Sequence, residues 1–273
     1  MYAIDFEYDG QYLSDYGFII CNFDSSNGVA VASAGSKITF DKVIRDKGRK
    51  YSLVDTKYDE CIQTSFDICK NPDLYEDYSD REISNDEYRD LVRWLNRREF
   101  LKFQVLDEDD SERETCYFNV SFNVEKIKIN EKLYGLRLSL ESDKPFGYGQ
   151  EQTVEWTFSD VTISKILSDM SDEIGYIYPD MTITVVNDCD LSIYNELEDC
   201  TMTIKNCLAG EVITIKGAEQ IISSSYESHD ICDDFNYEFF KIGNTIDNRN
   251  NRISVSKPCK IAISYYPIIK DTP

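Results

Sequence analysis

Between Cys116 and Val124 the side chains alternate without a break. Cys116, Phe118, Val120, Phe122 and Val124 are apolar; Tyr117, Asn119, Ser121 and Asn123 are polar or amphipathic. A strand sends successive side chains to opposite faces, so this period of two specifies a strand with one face on a core and one in water. A half-solvated strand of that kind belongs in an antiparallel sheet. Its partner precedes it. Phe100 to Leu106 leads into an acidic run, Asp107-Glu108-Asp109-Asp110-Ser111-Glu112-Arg113-Glu114, and Thr115 to Val124 returns. The alternation changes phase at Glu125-Lys126, which predicts a bulge there. Asn130-Glu131-Lys132 then turns the chain into another strand with Tyr134, Leu136, Leu138 and Leu140 inward.

The rest of the first half reads in the same way. Residues 1–22 predict one or two short strands around an Asp9-Gly10 turn. Residues 24–36, with Ser25, Gly28 and Gly35, predict a loop or mobile arm. Further strands are expected at 37–43, 50–54 and 62–70. One helix is expected. Ser84 and Glu87 have capping-box spacing, and Tyr88, Leu91, Val92 and Leu95 follow at i, i+3, i+4 and i+7 to give one apolar face. Arg93, Arg97 and Arg98 lie towards its C-terminal end, where cations suit the helix dipole.

Pro145-Phe146-Gly147-Tyr148-Gly149 interrupts the pattern and sets an expected boundary between domains 1–148 and 149–273. A length of 273 residues suits two domains of ordinary size. Beyond the boundary, short segments with frequent turn signals predict a β-sandwich. Strands are expected at 153–158, 161–167, 181–186, 191–194, 201–206, 211–216, 220–223, 237–242, 252–256 and 259–266.

Charge narrows the function. The chain carries 29 Lys+Arg against 51 Asp+Glu, a net −22. The excess is spread, −10 in the first 150 residues and −12 in the remainder. Such a surface repels nucleic acid and anionic membranes, because phosphate binding needs clustered cations. The first basic side chain is Lys37 and the apolar runs are short, so neither a signal peptide nor a bilayer span is expected. The nine cysteines are odd in number and contain no CxxC pair. They are expected to be reduced and mostly buried, as small apolar side chains in a cytoplasmic product.

Catalytic signals are absent. The single histidine, His229, lies in Ser228-His229-Asp230 without a GxSxG elbow and cannot build a multi-histidine metal site. It is expected to be a polar loop residue. No GxGxxG or Walker loop occurs, and the acidic run 107–110 lacks the glycine and ligand spacing of a calcium loop. Paired carboxylates among 51 acids have no specificity for glycoside hydrolysis. No catalytic, cofactor-binding or metal-ligating residue is therefore assigned, and no cofactor is expected. The alternative class is a glycan-binding sandwich used in host adsorption, with Tyr226, Tyr237, Tyr265 and Tyr266 as candidate contacts.

The order of the pieces resembles the distal tail protein family of long-tailed bacteriophages and prophages, over nearly the whole chain. Asp15-Tyr16-Gly17-Phe18-Ile19-Ile20 looks like that family's opening strand. The helix with Leu91, Trp94 and Leu95, the hairpin Phe100 to Val124, and Pro145-Phe146-Gly147-Tyr148 follow in its order. So do Tyr178-Pro179-Asp180-Met181, Asn206-Cys207 to Gly210-Glu211-Val212-Ile213, Asp233-Asp234-Phe235-Asn236 and Pro258-Cys259 to Tyr265-Tyr266. The resemblance implies a mostly β protein, with a ring-forming N-terminal domain and a galectin-like C-terminal β-sandwich. It implies a structural role in the virion tail, assembled in the host cytoplasm. The partners implied are copies of the chain itself in a hexameric ring, the tail tube protein and the tail-associated tip protein. A tail tube subunit is a structural alternative, which the long second domain disfavours. Asp107, Glu108, Asp109 and Asp110 at the hairpin tip, and Ser25, Gly28 and Gly35 in the arm, are the expected assembly contacts.

Overall fold

The computed structural model describes residues 3–23, 36–44, 51–75, 77–107 and 116–271. The chain divides into two compact units, residues 1–149 with 269–273, and residues 150–268.

The first unit contains β1 (Ala3–Tyr8), β2 (Gln11–Tyr12), β3 (Phe18–Cys21), β4 (Ile38–Ile44), β5 (Tyr51–Tyr58) and β6 (Gln63–Lys70). Helix α1 (Asn85–Leu95) follows, then β7 (Leu101–Asp107), β8 (Phe118–Ile129), β9 (Lys132–Ser142) and β10 (Gly147–Tyr148). Seven of these strands make one sheet in the order β2-β1-β7-β8-β9-β6-β3, and β4 pairs with β5 in a sheet of its own. The alternation at 116–124 appears as burial: Phe118, Val120 and Phe122 are buried and the residues between them are not. β8 runs on to Ile129, and its ladder with β9 shifts register between Ile127 and Lys128 rather than at Glu125-Lys126. The change of phase in the sequence marks where burial ends, because every residue from Val124 to Ile129 is at least partly exposed. Asn130 and Glu131 close the hairpin with φ of 50° and 71°. Positive φ at both central residues gives the turn whose twist matches that of its strands.

Helix α1 begins at a reciprocal cap. The Glu87 amide donates to Ser84 Oγ (3.3 Å), and the Ser84 amide donates to Glu87 Oε2 (2.8 Å). The other Glu87 oxygen takes Lys70 Nζ at 2.8 Å, which anchors an amine that is only 7 % exposed. Leu91, Trp94 and Leu95 are buried against the sheet. Trp94 stacks on Tyr16 at 4.6 Å and on Phe6 at 5.8 Å, and its Nε1–H donates to the Tyr8 carbonyl at 3.1 Å. Behind it Phe6, Phe66, Phe103 and Phe122 cluster with centroids 5.3–6.2 Å apart, edge-on or tilted except for the stacked pair Phe66–Phe103. Such geometry adds to the area term because ring edges meet ring faces.

The second unit is a sandwich. One sheet has the order β11 (Gln152–Phe158), β21 (Cys259–Tyr265), β14 (Asp180–Val185), β17 (Val212–Lys216), β18 (Ile221–Ser224). The other has β12 (Lys165–Ser168), β20 (Asn250–Val255), β15 (Cys189–Asn195), β16 (Cys200–Cys207). A small pair, β13 (Gly175–Ile177) and β19 (Ile242–Asn244), and the short helix α2 (Ile231–Asp234) complete it. The inward residues of both sheets form one aliphatic core that includes Ile183, Ile193, Ile204, Ile213, Ile253, Ile261 and Ile263. Segments 161–164 and 237–241, expected as strand, are irregular. Tyr237 adopts φ 59°, and Phe239 and Phe240 are buried in succession, which no alternating strand allows. Side-chain amides replace the missing ladder. Asn195 Nδ2 donates to Lys241 O and Asn251 Oδ1, both at 2.7 Å, while Asn251 Oδ1 accepts Gly243 N at 2.7 Å.

Replacing Trp94 with alanine is expected to cost about 3–5 kcal/mol, against about 1 kcal/mol for Ser84→Ala. Denaturant unfolding followed by near-ultraviolet circular dichroism checks this. Equal costs would remove the indole from the centre of the argument.

Candidate assembly surfaces

The β4–β5 hairpin carries a run of exposed apolar side chains in the first unit. Ile38 pairs with Tyr58 and Phe40 with Thr56, then the register slips so that Asp41 faces Asp55 and Lys42 faces Leu53. Val54 is therefore the extra residue of a bulge. By alternation it shares a side with Leu53, and that side also holds Phe40 and Lys42. The Lys42 ammonium lies over the Phe40 ring at 5.4 Å, in keeping with this register. Phe40, Leu53 and Val54 are 53 %, 57 % and 64 % exposed. Two strands alone in water are marginal, and no third strand among the described residues pairs with them. The hairpin is held at its base. The Ser36 amide donates to Pro145 O, Asp59 N donates to Lys37 O, and the Tyr58 ring meets Phe146 at 6.5 Å. Phe146 in turn meets Tyr148, which stacks on Tyr117. Gly147 sits between them because a Cβ there would lie 2.4 Å from Cys116 Sγ and 2.7 Å from the Phe118 ring.

Of the expected contact residues, Asp107 ends β7 opposite Ala3. Glu108, Asp109, Asp110, Ser25, Gly28 and Gly35 lie outside the described residues. The sequence marked 37–43 and 50–54 as strands but gave no sign of their exposure; the exposed apolar side chains are the feature it missed.

His229 does lie in a loop, but its side chain is buried at 2 % exposure. Its Nδ1 is 2.6 Å from Glu211 Oε1, and the same oxygen accepts Ser224 Oγ at 2.5 Å. The second oxygen of Glu211 accepts the Leu208 amide at 2.8 Å. Burial pushes the Glu211 carboxyl up, but these hydrogen bonds more than offset it and hold the group below its ordinary value. Serine and imidazole here both point at the carboxylate. A nucleophile needs its hydroxyl on the imidazole, so this is a structural knot rather than a triad. A single distant acid fixed by residues 18 and 13 positions away could not have been found from spacing alone.

Other chemistry finds little support. Among the described residues no group of three His, Cys, Asp or Glu could hold a metal ion, and no helix is long and apolar enough to cross a membrane. A cleft of about 380 Å³ in the second unit is lined by Ile166, Glu196, Leu197, Asn248, Asn250 and Arg252, none of them aromatic. Of the tyrosines considered for glycan stacking, Tyr265 belongs to the core, with its hydroxyl donating to Ser168 O, while Tyr226, Tyr237 and Tyr266 are exposed.

Residues 1–144 match a family described as "Phage tail protein N-terminal domain", and residues 146–265 match "Phage tail C-terminal domain". The chain belongs to this phage tail protein family. Its fold is that of the Dit (gp 19.1) protein of phage SPP1, described as a hub adsorption apparatus in phages infecting Gram-positive hosts. The TM-score is 0.66 at 13% identity, over 97% of this chain and 99% of that one. A chain of the phage p2 baseplate aligns over 96% of this chain and 97% of its own, with TM-score 0.49 and 9% identity. No curated protein sequence matches.

Two outcomes are expected. Replacing Phe40 and Leu53 with lysine should leave stability within about 0.5 kcal/mol per site, read by thermal melting of the isolated protein, because both side chains are more than half exposed. Glu211 gives a pH signature. A carboxyl depressed by folding contributes stability that is present above its unfolded value and lost as pH falls through its folded value. Stability of the second unit should therefore fall as pH drops below about 4.5, the ordinary value, and Glu211→Gln should flatten that limb of the profile. An unchanged slope in the variant would remove Glu211 from the cause.

Proposed function

We propose that this protein is a non-enzymatic distal tail subunit, six copies of which close into a ring joining the last ring of the tail tube to the tail-associated tip protein. Residues 1–148 form the ring and residues 149–273 are the β-sandwich carried by it. The reading places the protein in the virion tail after assembly in the host cytoplasm. The observation that carries it is the bare β4–β5 hairpin in a chain of the phage tail family. An exposed apolar ladder whose two edges are unpaired among the described residues needs a partner, and a head-to-tail contact repeated with rotation closes a ring. The likeness to a hub protein along the full length of both chains supports the same assignment. The strong negative charge also suits a duct through which DNA passes without being gripped.

Light scattering with negative-stain imaging of the same chromatographic peak tests the proposal. The expected result is a hexamer with a central opening, which Phe40→Lys with Leu53→Lys dissociates without unfolding. Gold-labelled antibody on intact particles gives the decisive second reading. Label along the tube or at the head, rather than at the distal end, would overturn the assignment.

A further inference from the structure

Two cysteines of the second unit are set face to face by a one-residue irregularity. β15 and β16 form an antiparallel hairpin in which Leu191 faces Ile204, but the register shifts before Leu191 so that Cys189 faces Cys207. An unshifted ladder would put Asn206 opposite Cys189. The extra residue shows in the burial of β16: Cys200, Met202 and Ile204 are buried alternately, Lys205 and Asn206 are both exposed, and Cys207 is buried again. Asn206 takes φ 52°, and its amide donates to Asp190 Oδ1 at 2.9 Å. The Ala209 amide donates to Asp188 Oδ1 at 2.7 Å. Two carboxylates beside Cys189 thus tie down the chain on both sides of Cys207. Opposed residues of an antiparallel ladder have Cα atoms about 4.5–5.5 Å apart, inside the window of about 4.4–6.8 Å that a disulfide spans. Both side chains lie on the inner face. Cys189 shares it with Leu191 and Ile193 by alternation, and Cys207 is 1 % exposed in the core against which Cys189 packs. Cys21, Cys69, Cys200 and Cys259 each face a residue of another type across their ladders. Cys189 is half-buried, so it is the member of the pair that solvent reaches.

We propose that Cys189 and Cys207 are a cross-strand disulfide site, closed by exchange with a small-molecule disulfide such as oxidised glutathione. Cys189 gives its proton to solvent and attacks one glutathione sulfur. The glutathione S–S bond breaks, a mixed disulfide forms on Cys189 and one glutathione thiolate leaves. Cys207 then gives up its proton, and with it the hydrogen bond to Ile204 O (3.4 Å), and attacks Cys189 Sγ. The second glutathione thiolate leaves. Two protein thiols are oxidised, and one small disulfide is reduced to two thiols. Burial pushes both thiols up, Cys207 to about 12, so the attacking thiolate is scarce and the exchange is slow. The bond closes the hairpin at its open end, away from the turn at 196–199, and fastens β16, the edge strand of its sheet, to β15. On the function proposed above, the chain is made in a reducing cytoplasm and works outside it, where disulfides persist. The bond forms within one chain, so its failure and the failure of the ring are separate results.

The test is peptide mapping of the folded full-length protein, incubated with oxidised glutathione at mildly alkaline pH, then denatured and alkylated without reduction. The expected product, in the monomer band of a non-reducing gel, is a linked peptide pair containing Cys189 and Cys207. Its thermal midpoint should lie at least about 5 °C above that of the reduced form, and dithiothreitol should abolish both the link and the shift. In Cys207→Ser the glutathione adduct should accumulate on Cys189; in Cys189→Ser the buried Cys207 should carry none. Both thiols still alkylated in the treated wild-type protein, a link from Cys189 to Cys259, or a link only between chains would overturn the proposal. Equal adduct formation at Cys207 in the Cys189→Ser protein would overturn the order of attack.

Discussion

A seven-stranded sheet has two faces, and among its described residues the first unit supplies one α-helix, α1, to cover them. The first unit therefore depends on how much that helix can do, and the Trp94 indole does most of it. It is large enough to stack on both Tyr16 and Phe6, and its N–H reaches the backbone of β1. Helix α1, the single turn Leu13–Tyr16 and strand β1 are thereby held at one point. A Leu or Phe in its place would fill volume but leave the Tyr8 carbonyl without that donor, and an orphaned buried acceptor costs about 1–3 kcal/mol.

The charges inside follow a strict rule in a chain so rich in acids. Asp67 is bound in two places by the Arg137 guanidinium, at 2.8 and 3.0 Å. Lys70 has Glu87 and the Asp80 carbonyl. Glu211 has His229, Ser224 and Leu208. Each of these three groups is matched by a fork or a set of polar partners, because an unpaired buried charge costs several kcal/mol. The surplus of negative charge is therefore a property of the surface. It acts on what approaches the protein and not on how the protein folds.

Local patterns were read correctly wherever burial and periodicity agree. The alternation of β8, the Ser84/Glu87 cap and the turn at Asn130-Glu131 follow from the residues themselves. The sequence failed where the backbone is satisfied by side chains. Asn195, Asn236 and Asn251 supply bonds that a ladder would otherwise give, so 237–241 looks like a strand and is not one. It failed also where function depends on what is left uncovered. Phe40, Leu53 and Val54 have the composition of a buried strand, and only the fold reveals that each is more than half exposed.

The extra residue at Val54 has a consequence for growth. A flat, regular two-stranded ladder with bare edges stacks copies by translation, and a stack built by translation has no reason to stop. A bulge tightens the local right-handed twist. Each copy added to a twisted ladder must turn relative to the last, and identical contacts that turn can come back to their starting point. One valine out of step is thus a device that favours a finite object over a fibre.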